Sequence, residues 1–197
     1  VYSSLVFGQG NSIHLDGTND YVNCGNNGSL NITGTSLTLE AWIYPTSFRT
    51  NVWEGNVINK NGAGDNGYML RVGNRGQVNF NIGTGSWNEI NSSLGAVSLN
   101  TWAHIAGTYD GTTMRLFING SQVATGGLAA NIGSASNPLY LGEDPQWTGR
   151  NFPGRIDEVR IWDVTRTVAE INAEINNELC GGPIAYYQFN QGNAGGA

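Results

Sequence analysis

Trp102-Ala-His-Ile-Ala-Gly-Thr-Tyr-Asp110-Gly-Thr-Thr-Met-Arg-Leu-Phe-Ile-Asn119-Gly120-Ser-Gln-Val-Ala-Thr125 decides the fold class. Three runs, Trp102 to Tyr109, Met114 to Ile118 and Gln122 to Thr125, are separated by Asp110-Gly111 and Asn119-Gly120. Asp-Gly and Asn-Gly let both central residues take positive φ, as tight hairpin turns require. The stretch therefore reads as a three-stranded antiparallel meander.

The same grammar extends in both directions. Leu37, Leu39, Ala41 and Ile43 alternate with Thr38, Glu40, Trp42 and Tyr44, and Pro45 ends the run by removing a backbone donor. Tyr68, Leu70 and Val72 alternate with Met69, Arg71 and Gly73; Asn74-Arg75-Gly76 turns the chain, and Val78, Phe80 and Ile82 return. Period-two alternation marks strands with one buried face. One segment follows a helical period: Thr165 to Glu178 places Val168, Ile171, Ile175 and Leu179 at three- and four-residue spacing. Thr167 with Glu170 three residues later forms a capping-box signature. The expected architecture is all-β, two antiparallel sheets with one short C-terminal helix. It fills residues 1–180, and 181–197 is a tail or the start of a following unit.

Composition agrees. The chain has 197 residues, 29 of them Gly, with 12% charged and 39% hydrophobic, which suits one large sandwich of short strands and tight turns. The net charge is −6 and no Lys/Arg cluster occurs, so nucleic acid is not an expected partner. No apolar run reaches 18 residues, so no membrane insertion is expected. Cys24 and Cys180 read either as a disulfide joining the two ends of the domain, which implies an oxidising compartment, or as two buried thiols.

Four blocks, in this order, carry a resemblance. They are Ile13-His-Leu-Asp-Gly-Thr-Asn-Asp-Tyr-Val22; Leu37-Thr-Leu-Glu-Ala-Trp-Ile43; Trp102 to Gly111 with Leu116-Phe-Ile-Asn-Gly120; and Gly154-Arg-Ile-Asp-Glu-Val-Arg-Ile-Trp162. Together they resemble the laminin-G-like jelly-roll family of concanavalin A-like sandwiches, from about residue 12 to 179. The stretch Ile184 to Gly192 is similar to a phrase that follows such domains in large multi-repeat bacterial surface proteins. The resemblance implies a convex and a concave sheet with loops along one rim, and a secreted or cell-surface setting. Members bind sugars, sulfated glycans or protein partners, many hold calcium, and some relatives on the fold are glycosidases. The structural calcium of such sandwiches implies ligands from the loop holding Asp16 and Asp20 and from Asp157 on the last long strand. The alternative is that Asp16 and Asn19 form Asx-turns and Asp157 caps backbone groups.

Catalysis is not expected. Glycoside cleavage needs two carboxyl groups about 5–9.5 Å apart. Relatives on this fold supply them from one strand as Glu-x-Asp-x-Glu or Glu-x-Asp-x-x-Glu, and this chain contains neither pattern. Asp157 and Glu158 are adjacent, so a regular strand points them to opposite faces. His14 and His104 sit within strand blocks and read as structural. A lyase would draw on residue types such as Tyr68, Arg71 and Asn79.

Binding residues are expected in the loops. Trp42, Trp102 and Trp162 lie in strands and read as packing residues, whereas Trp53, Trp87 and Trp147 lie in Gly-, Asn- and Thr-rich stretches with no periodicity to explain them. Exposed aromatic faces suit sugar rings, and Asp144 and Arg150 beside Trp147 supply acceptors and donors. The plainer alternative is that each of these Trp covers the core beneath its own loop. Arg71, Asn79 and Asn81 form a second candidate patch on the concave sheet. The leading expectation is a non-catalytic carbohydrate-binding module of a secreted or cell-surface bacterial protein, with a glycan or polysaccharide as partner. The competitors are a protein-interaction or structural repeat of a large adhesin, contacting neighbouring domains, and, third, a polysaccharide lyase or hydrolase.

Overall fold

Alternating apolar residues hide one strand face only if that face lies against a second layer. A computed structural model describes residues 11–179 and 181–190 and shows two such layers. The chain begins with β1 (Ile13–Asp16), β2 (Val22–Asn23), β3 (Leu37–Pro45), β4 (Asn56–Gly62) and β5 (Asn66–Gly73). It continues through β6 (Gln77–Thr84), β7 (Trp87–Asn91), β8 (Ala103–Tyr109), β9 (Thr113–Ile118) and β10 (Ser121–Gly127). Then follow β11 (Tyr140–Leu141), β12 (Pro153–Trp162), helix α1 (Val168–Glu174) and β13 (Ala185–Tyr187). One sheet runs β1-β12-β3-β8-β9-β10, with β13 also on β12; the other runs β2-β11-β4-β5-β6-β7. The strand pairs are antiparallel, as in the jelly-roll sandwich expected.

The expected faces are the observed ones. Leu37, Leu39, Ile43, Tyr68, Leu70, Val78, Phe80 and Ile82 are fully buried in one core cluster. The Asn74-Arg75-Gly76 and Asn119-Gly120 turns take positive φ throughout. Gly107 shows how closely the sheets approach: a Cβ there would lie 2.4 Å from Cδ2 of Phe80 on the opposite sheet. The tyrosines in the core satisfy their hydroxyls on backbone, Tyr68 donating to the Leu30 carbonyl at 2.8 Å and Tyr109 to that of Leu128 at 3.1 Å.

The outer face of the β3–β12 sheet is sealed. Glu40, fully buried, accepts from Trp162 Nε1 at 2.8 Å and Arg166 Nη1 at 3.3 Å, and His104 Nε2 lies 3.4 Å away. Burial raises the Glu40 pKa, but His104 and the Arg160 and Arg166 guanidinium groups outweigh it and hold the carboxyl below its ordinary range. Trp42 and Trp162 are buried on this face, and Trp102 packs on Tyr44 with ring centres 5.5 Å apart, so these three Trp are packing residues.

Two expectations are corrected here. The helix is seven residues long rather than spanning Thr165 to Glu178, and only Ile171 is buried; Val168 is exposed. Its end is set by side chains beneath it, because Arg160 takes the Glu174 and Asn177 carbonyls and Trp42 takes that of Ile175. The Thr167–Glu170 capping box is present. Secondly, Asp157 and Glu158 do not sit on a regular strand: a bulge interrupts the β12–β3 register between Asp157 and Arg160, and Glu158 has φ 50°. Glu158 then bonds Arg160 Nη2 at 2.9 Å and the Tyr186 hydroxyl, on the face where Arg160 pairs across to Glu40. After residue 180, Ala185–Tyr187 pairs with Val159–Ile161 as a strand of this sheet.

Two outcomes follow. Gly107→Ala forces a methyl into the Phe80 ring and is expected to lower stability by about 1–3 kcal/mol, read from the urea midpoint at unchanged slope. Burial pushes the Asp157 carboxyl up to about 7, the Glu158 backbone N–H lowers it, and the Glu158 charge raises it. The folded chain thus keeps a proton that the unfolded chain releases near pH ~3.9. That stability is whole below this value and lost as pH rises through about 7. Asp157→Asn is therefore expected to gain Tm relative to the parent between pH 5 and 8. Parallel Tm curves would contradict this.

Candidate functional site

Because β5 turns Tyr68, Leu70 and Val72 inward, Met69 and Arg71 face outward; β6 likewise presents Asn79 and Asn81. Register aligns Asn56, Arg71, Asn79 and Asn91 in one row across β4 to β7, and Asn59, Met69, Asn81 and Glu89 in the next. β11 and β2 extend the second row with Tyr140 and Asn23. The face is a hydrogen-bonded lattice of planar polar groups. Arg71 Nε donates to Asn79 Oδ1 at 2.9 Å; Asn79 Nδ2 donates to Glu89 Oε2 at 3.1 Å and Asn91 Oδ1 at 2.9 Å. Asn59 Nδ2 donates to Asn56 Oδ1 at 3.1 Å. Burial lowers the Arg71 guanidinium pKa to about 10, against the opposing pull of Glu89 and Asp144.

The loop from Gly142 to Asn151 is latched onto this face by Asp144, which is 1% exposed. Its Oδ1 accepts from Asn61 Nδ2 at 2.9 Å and from the Gln146 backbone N–H at 3.1 Å; its Oδ2 accepts from Arg150 Nη1 at 3.3 Å. Arg150 lies with Cζ 4.9 Å from the Trp147 ring centre, and Trp147 is 58% exposed. Asn56 Nδ2 ties the loop to the neighbouring turn, donating to the Arg150 carbonyl at 3.0 Å and the Trp53 carbonyl at 3.2 Å. Trp53, 43% exposed, sits in a one-turn 3-10 helix, Val52–Glu54, capped by Asn51 and Glu54. The loop candidates Trp53, Asp144, Trp147 and Arg150 thus join the sheet candidates Arg71 and Asn79 in one region.

Not every expected residue belongs to it. Trp87 opens the edge strand β7, three strand spacings from β4, or about 14 Å across the sheet. Asn81 lies in the neighbouring row between Met69 and Glu89, and it is buried, as Arg71 and Asn79 are. Tyr68 points into the core, opposite to Arg71, so the residue set considered for a lyase is not assembled. The residues missed from sequence are Asn56, Asn59 and Asn61, which carry the lattice and hold Asp144, together with Tyr140. The alternation Asn59-Lys60-Asn61 was a weak signal, because Lys60 turns away to donate to Asn26 Oδ1 at 2.7 Å and the Ala135 carbonyl at 2.9 Å.

The calcium set is not assembled as expected. Asp16 Oδ1 accepts from the Thr18 and Asn19 N–H groups and Asp20 Oδ2 from that of Asp16, so these two carboxylates share one turn. Asp157 is elsewhere: Asp16 pairs with Pro153, four residues down β12, and Asp157 lies beneath the sealed outer face. Calcium takes about 6–8 oxygens. Here two carboxylates and backbone carbonyls would have to supply them, and Arg49 already donates to the Gly17 carbonyl. Among the described residues no group of three or more His, Cys, Asp or Glu is placed to hold a metal. The expected Cys24–Cys180 pair involves Cys180, which lies outside the described residues. Burial raises the Cys24 thiol to about 11, partly offset by the Tyr187 hydroxyl.

Residues 16–172 match the sequence model of the Concanavalin A-like lectin/glucanases superfamily. Pappalysin-1 of Mus musculus is 38% identical over 79 residues, which are 38% of this chain and 5% of that protein. A protein of Bacteroides ovatus ATCC 8483 superposes at TM-score 0.72 and 22% identity, over 95% of this chain and 53% of its own. The Ruminococcus gnavus IT-sialidase CBM40, solved with α2,3-sialyllactose, superposes at TM-score 0.67 and 16% identity, over 85% of this chain and 97% of its own. These two structural likenesses are ones of fold.

Proposed function

We infer a function from the premise that this chain belongs to the Concanavalin A-like lectin/glucanases superfamily: it is a non-catalytic carbohydrate-binding module. The carrying observation is Trp147, an aromatic face open to solvent on a loop fixed at its root by buried Asp144. A ring held in place stacks on a sugar without losing its own freedom on binding, and the partly exposed Arg150 beside it offers donors to hydroxyl groups. The sialyllactose-bound CBM40 neighbour supports this reading. So does the state of the carboxylates on this face, since Asp144 and Glu89 are each held by Arg and Asn side chains. The setting we propose is a secreted or cell-surface bacterial protein, where polysaccharide is met. Among the described residues no helix is long and apolar enough to cross a membrane.

A second reading, a protein-interaction repeat of a large adhesin, draws on β10. This seven-residue edge strand carries no charge, is largely exposed and presents Val123 at 41% exposure. Uncharged edges pair readily with another strand. The two readings separate in one experiment. Trp147→Ala is expected to weaken retention on a glycan array by about tenfold or more with unchanged Tm, a loss of about 1.4 kcal/mol. Failure to bind any glycan, with association through β10, favours the second reading instead.

Calcium enters this reading as a structural ion of the Asp16–Asp20 loop. That loop abuts the root of the Trp147 loop, a Cβ at Gly142 lying 3.5 Å from the Asp20 carbonyl oxygen. Melting with and without EDTA is the check. A Tm lowered by EDTA and restored by added calcium supports the ion, and superimposable curves remove it.

A further inference from the structure

An open pocket of about 320 Å³ lies on the other flank of the same loop, lined by Asn137, Pro138, Tyr140, Pro145 and Gln146. We propose that this pocket holds a single uncharged sugar ring, as the specificity-determining part of the glycan site. The proposal rests on the binding function inferred above and names its ligand class.

Size comes first. Ligand pockets run from roughly 300 to 1,000 Å³, so this one, at the lower end, suits one ring rather than a chain. Its walls supply apolar surface of fixed shape. Pro138 and Pro145 are rigid, and Tyr140 is held in the sheet between Asn23 and Asn59. Tyr21 packs on Tyr140 with ring centres 5.7 Å apart, and Asn23 Nδ2 donates to the Tyr140 hydroxyl at 3.4 Å. Tyr21 is itself 49% exposed, which extends the aromatic surface past the pocket rim.

The polar groups decide the ligand's charge. Gln146 is fixed by its backbone N–H on Asp144, while its side-chain amide, among the described residues, makes no hydrogen bond. Asn137 uses Nδ2 on Asn61 at 3.0 Å and keeps Oδ1 for a ligand. An amide and a carbonyl oxygen complement hydroxyl groups, which both donate and accept. Among the described residues no cation is offered. Lys60, behind Asn137, has its three N–H donors on Asn26, the Ala135 carbonyl and the Asn137 carbonyl. Arg150 is on Asp144 and beside Trp147. A carboxylated or sulfated sugar would find no free cation here, and the Glu143 and Asp144 carboxylates precede Pro145. The larger depression of about 410 Å³, lined by Ser29 to Ser36 residues and Asp163, has no aromatic wall and offers no stacking surface.

The test is NMR titration of the intact chain with two sets of probes. One set holds methyl glycosides of glucose, galactose, mannose, xylose, arabinose and N-acetylglucosamine. The other holds methyl glucuronide, N-acetylneuraminic acid and galactose 6-sulfate. At least one neutral glycoside is expected to shift the Gln146 side-chain amide and the Tyr140 backbone amide. Gln146→Ala, at an exposed position, is expected to weaken that binding roughly fivefold at unchanged Tm, the worth of about one hydrogen bond. Charged probes binding as well as neutral ones, or a neutral probe moving only the Trp147 indole, overturns the pocket and leaves glycan binding standing. No response to any probe, with no retention on polysaccharide, overturns both.

Discussion

The apolar layer between the two sheets constrains everything else in this molecule. A strand has two faces, and once Leu70, Phe80 and Ile82 are committed against the opposite sheet, their neighbours have no freedom left. Phe80 reaches so far across that only a residue without a side chain is tolerated at Gly107. Hydrophobic burial of this kind contributes most of the driving force, and close packing converts it into fixed register. Register in turn sets Arg71 beside Asn79 and Asn56 beside Arg71, so the outer chemistry follows from the inner packing.

The two outer faces are put to different uses. On the β3–β12 sheet, Glu40, Arg166, Trp162 and Arg160 form a closed ionic and aromatic network under α1. Breaking such a buried network is costly, so this face is stabilising architecture. On the other sheet, the polar groups are mostly neutral amides, and the loop above them carries an exposed Trp. Amides lose less on desolvation than charges do, so the buried Asn56, Asn59, Asn61 and Asn79 can bond to one another and to Asp144 and Glu89 as a stiff floor beneath the loop at modest cost. That contrast, more than any single residue, supports the proposed recognition at the loop above the β4–β7 face.

It also bears on chemistry. A sandwich of this kind becomes a hydrolase when alternate carboxylates on one strand project into the cleft. Here the outward positions of β5 and β6 are Met69, Arg71, Asn79 and Asn81, and Asp144 is engaged as an anchor for its loop. The adjacent pair Asp157 and Glu158 is on the sealed sheet, where Glu158 serves Arg160 and Tyr186.

Much of this was legible beforehand. Alternation gave the inward sets on β3, β5 and β6, and Asp-Gly and Asn-Gly gave the hairpins, because side-chain period and turn preference are local properties of a few consecutive residues. The capping box at Thr167 was local too, but the helix length was not, since carbonyls taken by Arg160 and Trp42 ended it from outside. The bulge at Glu158 and the pairing of Ala185–Tyr187 with β12 likewise needed partners distant in sequence. So did the site. Asp144 meets Asn61 across 83 residues, and Trp53 and Arg150 meet through Asn56. Which face of each strand is apolar, and where the chain turns, follow from short runs of neighbouring residues. Which loops share a surface follows from strand order and register, and neither is a property of any segment alone.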